Sequence, residues 1–266
     1  MLKNITLGRY YPGTSVLHRL DPRIKMVLSL SFMVVIFLTS KPLPLLLVTA
    51  LTLVLVALSR VPVSYIAGSL KPILFILLFA FVLNLFTVPG DPLFVFGPLT
   101  ISDQGLYTAV RMAARLIFLV INTTLLLTLT TTPLLISDAL EQLLNPLKRL
   151  RFPVHELAMM MSIALRFVPT LLEETDKIMK AQSSRGADYD TGNLVAKARG
   201  LVTVLIPLFV SAFKRAEELA IAMEARCYRG GEGRTRLHVL KLDGKDKGFA
   251  AGFFLVTVVI ILAQFL

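Results

Sequence analysis

A single cysteine, Cys227, stands in this chain of 266 residues. That excludes an intramolecular disulfide and a zinc site built on cysteines. The three histidines, His18, His155 and His238, are far apart. They form no His-Glu-x-x-His pair that could hold a metal, and no nucleophile motif accompanies them. The phosphate-cradling pattern Gly-x-x-x-x-Gly-Lys-Ser/Thr is also missing, so ATP is not bound in that way. No catalytic residue, cofactor or metal is therefore expected. Residues 1–22 are charged and lack an apolar core, so no secretory leader is expected. Lys and Arg are absent from Asp91–Ser102 and from everything beyond Lys247.

What the chain has in abundance is apolar surface, with 55% hydrophobic residues and a mean hydropathy of +0.74. Uncharged runs of about 18 residues or more indicate membrane-spanning helices. Four runs fit: Pro42–Ser59, Pro72–Gly90, Leu116–Ser137 and Gly248–Leu266. Met26–Ser40 is shorter, but it lies between Lys25 and Lys41, whose stems can snorkel to the interface. Gly200–Phe213 reads as part of a buried helix. The formal charge is +11, and its placement gives direction. Basic residues precede the first span, lie between the second and third (Arg60, Lys71), and recur in residues 138–247, with 18 Lys/Arg against 14 Asp/Glu. Cytoplasmic segments carry the excess of positive charge. The N-terminus and residues 133–247 are thus expected in the cytoplasm, with the C-terminus outside. Because basic residues flank spans or mix with acids, a nucleic-acid partner is not expected.

The expected organisation is a cytoplasmic lead (1–25), four spans (26–132), a cytoplasmic or interfacial domain (133–247) and a last span (248–266). Asp21-Pro22 reads as an N-cap followed by proline at the first helical position. Ser102-Asp103 caps a helix running to about Thr132, roughly 45 Å long, which must tilt or begin outside the hydrocarbon. Arg111 and Arg115 share one face near its start; they either snorkel to the outer headgroups or meet a membrane partner. Pro89–Pro92 makes an external turn. A short amphipathic helix spans about Leu134–Leu150. Two long ones follow, from Pro153 to about Ser184, kinked at Pro169, and from about Leu194 to Ala225. The apolar stripe of the second is Ala198, Leu201, Leu205, Leu208, Ala212, Ala216, Leu219 and Met223. Ala212, Ala216 and Ala220 allow close helix packing. Glu173, Glu174 and Asp176 read as a solvated face paired with Lys177 and Lys180, or as a contact for a basic partner. His155 reads as a capping or interfacial residue.

Both long helices end in an arginine between small residues: Ser184-Arg185-Gly186 and, 41 positions later, Ala225-Arg226-Cys227. Once, this would be ordinary, because cations favour helix C-termini and glycine stops helices. Repetition makes the tips candidate docking points. If the helices pack antiparallel or crossed, the tips lie up to roughly 45 Å apart, which suits two partners. Each arginine can fork onto a partner's carboxylate.

Longer stretches are more specific: Gly8-Arg9-Tyr10 through Leu20-Asp21-Pro22-Arg23, Thr130–Pro133, Glu141–Lys148, Pro153–Leu157, Leu165–Thr170, Glu173–Arg185, Phe213–Glu218 and Met223–Gly233. Over essentially its whole length the sequence resembles the transmembrane T component of energy-coupling factor transporters. The resemblance implies an all-α integral membrane protein with about five spans and a coupling domain of long crossed helices, in a prokaryotic cell membrane. It implies a non-catalytic subunit that joins two cytoplasmic ABC-type ATPases (EcfA and EcfA′) to a membrane S component, which captures a vitamin or other micronutrient. It also implies that Arg185 and Arg226 dock on the ATPases. Ser184 stands where alanine is usual and Cys227 where glycine is usual. Both are small, but Cys227 leaves the glycine-type cap open, with Gly230 as a later stop. A stand-alone secondary transporter would need ionisable or broken-helix sites at mid-membrane, and an intramembrane enzyme would need a catalytic constellation. Apart from Arg111 and Arg115 the spans offer almost no ionisable residue.

Overall fold

The computed structural model describes residues 10–96, 99–150, 152–186, 194–230, 240 and 242–266. The chain divides into two compact units, one gathering residues 8–139 and 239–266, the other containing residues 140–238.

The first unit is a helical membrane bundle. A short helix α1 (Val16–Arg19) precedes α2 (Pro22–Leu38). As the sequence indicates, Asp21 caps α2: its carboxylate accepts from the Arg23 backbone N–H at 2.8 Å, and Pro22 holds the first turn. Then come α3 (Pro42–Ser59), α4 (Val63–Leu70), α5 (Leu74–Thr87), α6 (Asp103–Thr123) and α10 (Gly244–Phe265). Hydrogen bonds fix their directions. The Asp21 N–H donates to the Asp246 carboxylate at 3.2 Å where α2 and α10 begin. The Ser40 N–H donates to the Gln264 side-chain carbonyl at 2.9 Å where both end. The two helices therefore run parallel, and Gln264 lies at the bundle face opposite Asp21. Helix α6 runs the other way, because Arg115 reaches Thr39 and the residues after its end reach Lys25. The core between them includes Leu28, Phe32, Val48, Leu125, Phe253 and Ile260, with Phe32 and Phe253 edge to face at 5.6 Å.

Among the described residues, five helical stretches are long and apolar enough to cross a membrane: α3, Val63–Thr87, Asp103–Leu129, α8 (Val154–Ser184) and α10. The set differs from the sequence reading by one helix each way. Helix α2, with 17 residues, is too short to be among them. The apolar first half of α8 brings that helix in, although its second half carries Glu173, Glu174, Asp176, Lys177 and Lys180. The chain is an all-α multi-pass membrane protein.

Three details depart from the sequence reading. Between α5 and α6 the chain forms an antiparallel hairpin, β1 (Pro92–Phe96) and β2 (Leu99–Ser102), which the sequence reading did not include. Leu-Phe-Val-Phe and Leu-Thr-Ile have the aromatic and β-branched content that favours strands. Ser102 caps α6 as expected, accepting from the Gly105 N–H at 2.9 Å. Helix α6 does not continue as α-helix to Thr132 but passes into a π-helical stretch, Thr124–Leu129. Lys25 does not snorkel. It is 1% exposed, and its Nζ donates to the Thr130 carbonyl at 3.0 Å, to the His18 carbonyl at 3.3 Å and to Thr131 Oγ1 at 3.3 Å. The turn that follows the π stretch frees carbonyl groups from the helical ladder, and a buried ammonium is the donor that satisfies them.

Helix α7 (Pro133–Leu143) stops before Pro146, and a 3₁₀ turn (Asn145–Leu150) replaces the expected end of that helix, because proline removes the donor an α-helix needs. In the second unit, α8 runs on for 31 residues through Pro169, and α9 (Leu194–Ala225) for 32 through Pro207. His155, in the first turn of α8, contacts Glu141 through Nδ1 at 3.1 Å.

Candidate docking tips of the long helices

Helices α8 and α9 pack antiparallel. Toward the start of α8, Ile163 and Phe167 share an apolar groove of about 220 Å³ with Leu219 and Met223 of α9. Further along, Glu174 of α8 meets Ser211 and Arg215 of α9. Ala212, Ala216 and Ala220 line the same groove, which fits the expectation that small residues let the helices approach. The rest of the expected α9 stripe is not buried: Leu201 and Leu205 are exposed. The sequence pattern marks an apolar face without saying whether this chain covers it.

The Glu174 contact corrects another expectation. Glu174 does not pair with Lys177 or Lys180 on its own helix. It accepts from the Ser211 hydroxyl and from Arg215 Nη2, the latter at 2.5 Å. Ser211 and Arg215 lie one helical turn apart and so present two donors on one face. That spacing was the signal available in the sequence, but which acid would answer it depends on packing. Arg185 lies eleven residues beyond Glu174, and Arg226 eleven beyond Arg215. At 1.5 Å per residue each tip stands about 16 Å along its helix from the clasp, on opposite sides of it, which limits their separation along the helix axes to about 33 Å. This is shorter than the full-length limit because the helices overlap around the clasp rather than end to end.

At the first tip, Arg185 is the C-cap residue of α8. The Gly186 N–H donates to the Ser183 carbonyl at 3.0 Å, and Gly186 takes the left-handed conformation with φ +86°. Ser184 turns its hydroxyl back to the Lys180 carbonyl at 3.0 Å. The second tip is built the same way despite its cysteine. The Cys227 N–H donates to the Glu224 carbonyl at 2.8 Å and the Tyr228 N–H to the Met223 carbonyl at 3.0 Å, while Cys227 itself adopts φ +58°. These are the paired bonds of a Schellman cap. The cap therefore sits at Cys227 and is not deferred to Gly230. A residue with a Cβ costs about 1–2 kcal/mol in that conformation. Ser184, Arg185, Gly186, Ala225, Arg226 and Cys227 are all exposed. Among the described residues, neither Arg185 nor Arg226 forms an ion pair, so both guanidinium groups are free of carboxylates. No cluster of possible metal ligands occurs among the described residues.

Known proteins match this chain over most of its length. Residues 13–237 match the family model described as cobalt transport protein, CbiQ. The chain is 55% identical over 246 residues to the energy-coupling factor transporter transmembrane protein EcfT of Ruminiclostridium cellulolyticum, with 92% of each chain covered. It is 51% identical to the protein of that name from Bacillus subtilis, over 92% of this chain and 93% of that one. It is 47% identical to that of Thermosediminibacter oceani, with both chains covered in full.

Proposed function

The chain belongs to the family of energy-coupling factor transporter transmembrane proteins, and from that premise we propose that it couples two cytoplasmic ATPases to a substrate-capturing membrane subunit. One observation carries this reading. Two exposed arginines, unpaired with any described carboxylate, cap antiparallel helices at equal distances from the clasp that joins them. One cytoplasmic ATPase binds each tip, its acidic groove receiving the guanidinium fork. ATP binding closes the ATPase pair and draws the tips together, so the helices pivot about Glu174–Arg215. Packed helices move between discrete arrangements, which lets such a motion travel. Pro169 and Pro207 each remove a ladder hydrogen bond within α8 and α9 and give the helices places to bend. The exposed apolar side chains of α9, among them Ile206, Phe209, Val210 and Phe213, offer the surface on which an S component rides and is reoriented. Its substrate is a vitamin or other micronutrient. In this reading the N-terminus and tips are cytoplasmic, and ATP hydrolysis belongs to the partners.

Co-purification tests the docking. Arg185→Glu and Arg226→Glu leave the fold intact, because each arginine contributes at most a helix-end interaction of about 0.3–1 kcal/mol. Losing a docked charge pair costs about 2–5 kcal/mol. Each single reversal is expected to weaken ATPase retention at least 30-fold, and the double reversal to abolish assembly and uptake. Unchanged assembly and uptake in the double variant would refute the docking role.

A further inference from the structure

At the bundle face where α2 and α10 end, two cations gather without an anion. Arg111 Nη1 donates to the Ser40 carbonyl at 3.2 Å, and Arg115 Nη2 to the Thr39 carbonyl at 2.7 Å. Tyr107 donates its hydroxyl to the same Ser40 carbonyl at 3.0 Å and lies under the Arg111 guanidinium, with 5.5 Å from Cζ to the ring centre. Phe37 lies under Arg115 at 5.9 Å. One turn of helix separates the arginines, which brings their side chains together. Lys41, next to Ser40 and exposed, adds a third positive charge to the same turn.

Nothing in the described chain balances these charges. No carboxylate lies within ion-pairing distance of either arginine among the described residues. The nearest acid earlier on α6 is Asp103, eight residues away and so about 12 Å along the axis. The Nε atoms of both arginines are buried without a partner. A guanidinium carries five N–H donors. Besides a long contact from Arg115 Nη1 to the Met112 sulfur at 3.8 Å, one bond per arginine is made. The surroundings are apolar and uncovered: Phe37, Leu38, Leu43, Val110 and Leu262 are exposed large hydrophobics on the helices that meet here. Paired cations at the ends of spans, ringed by uncovered hydrocarbon, match a ligand with a negative head and acyl chains.

We propose that Arg111 and Arg115, with Lys41 beside them, bind the headgroup phosphate of an anionic phospholipid in the leaflet at this face. The forks take the phosphate oxygens, the acyl chains lie along the exposed side chains of α2 and α3, and the Thr39–Ser40 turn holds both arginines at headgroup level. A carboxylate from a neighbouring membrane protein fits the charge but not the apolar ring, which a lipid fills without leaving the membrane.

The test uses the full chain in detergent, with lipid retention read by native mass spectrometry. Phosphatidylglycerol is compared with phosphatidylcholine, and glycerol phosphate serves as the headgroup without chains. Wild type is expected to retain phosphatidylglycerol about tenfold better than phosphatidylcholine, and to retain no glycerol phosphate. Arg111→Gln with Arg115→Gln is expected to bring that ratio within about twofold of unity. Lys41→Gln leaves the folded bundle untouched and is expected to lower the ratio partway, which keeps the test open if the double variant does not fold. Equal retention of both lipids by wild type, a ratio that no variant alters, or retention of glycerol phosphate equal to that of the lipid would overturn the proposal.

Discussion

Lys25 is the residue whose loss the structure prices most directly. Replacing it by Met keeps a long unbranched stem in the same buried channel and removes only the ammonium. Three acceptors lose their donor: the carbonyls of His18 and Thr130 and the hydroxyl oxygen of Thr131. Thr131 keeps a bond of its own, because its hydroxyl donates to the Leu126 carbonyl at 3.1 Å. One buried carbonyl, that of Thr130, and one part-buried carbonyl, that of His18, are therefore stranded, at about 1–3 kcal/mol each. Against this stands the relief of no longer burying a charge. Replacing a whole buried charge network with apolar groups can be neutral, but here the partners stay behind, and broken buried pairs cost about 3–5 kcal/mol. A net loss of about 3 kcal/mol is expected. In a chain of this size each kcal/mol moves the unfolding midpoint by about 2–4 °C, which gives a fall of about 6–12 °C. Thermal unfolding of purified protein in one detergent measures it. Because Lys25 holds the α1 carbonyl of His18 to the turn after the π stretch, proteolysis near residues 10–20 is expected to speed up as well. A midpoint within about 1 °C of wild type would show that these contacts do not hold the bundle together.

Two further substitutions separate backbone geometry from packing. Cys227→Gly removes the Cβ from a left-handed residue and is expected to stabilise the end of α9 by about 1 kcal/mol, slowing hydrogen exchange at residues 223–228 about fivefold; unchanged exchange would mean that Cys227 carries no strain. Gly105→Ala puts a Cβ at 2.8 Å from the Leu85 carbonyl oxygen and 2.8 Å from Ser102 Oγ, so it is expected to lower stability by about 1–3 kcal/mol by forcing α5 and α6 apart, read as a lower unfolding midpoint; an unchanged midpoint would mean that the two helices do not pack this closely.

The fold class, the helix order and both arginine tips could be read from the chain alone, because each depends on near neighbours. An apolar run longer than the bilayer leaves its backbone no choice but a helix. Asp21-Pro22, Ser102-Asp103 and Ser184-Arg185-Gly186 set helix ends through bonds that reach no more than a few residues. Whether Cys227 would accept a glycine's conformation was not legible, since the strain is local but the compensation comes from Met223 and Glu224 carbonyls already ordered by α9. Three pairings lay beyond local reach. Lys25 looked like a snorkelling anchor because its sequence neighbours are interfacial; two of its three acceptors lie 105 and 106 residues away. Glu174 looked paired within α8 because lysines sit three and six residues on, yet the donors that hold it come from another helix. Arg111 and Arg115 looked aimed at the outer headgroups or at a membrane partner, and the turn that holds them joins α2 and α3. Periodicity and capping determine which segments are helices and where they stop. Only tertiary packing decides which helix supplies the missing partner for a buried charge, since that choice is fixed by distances in space rather than along the chain.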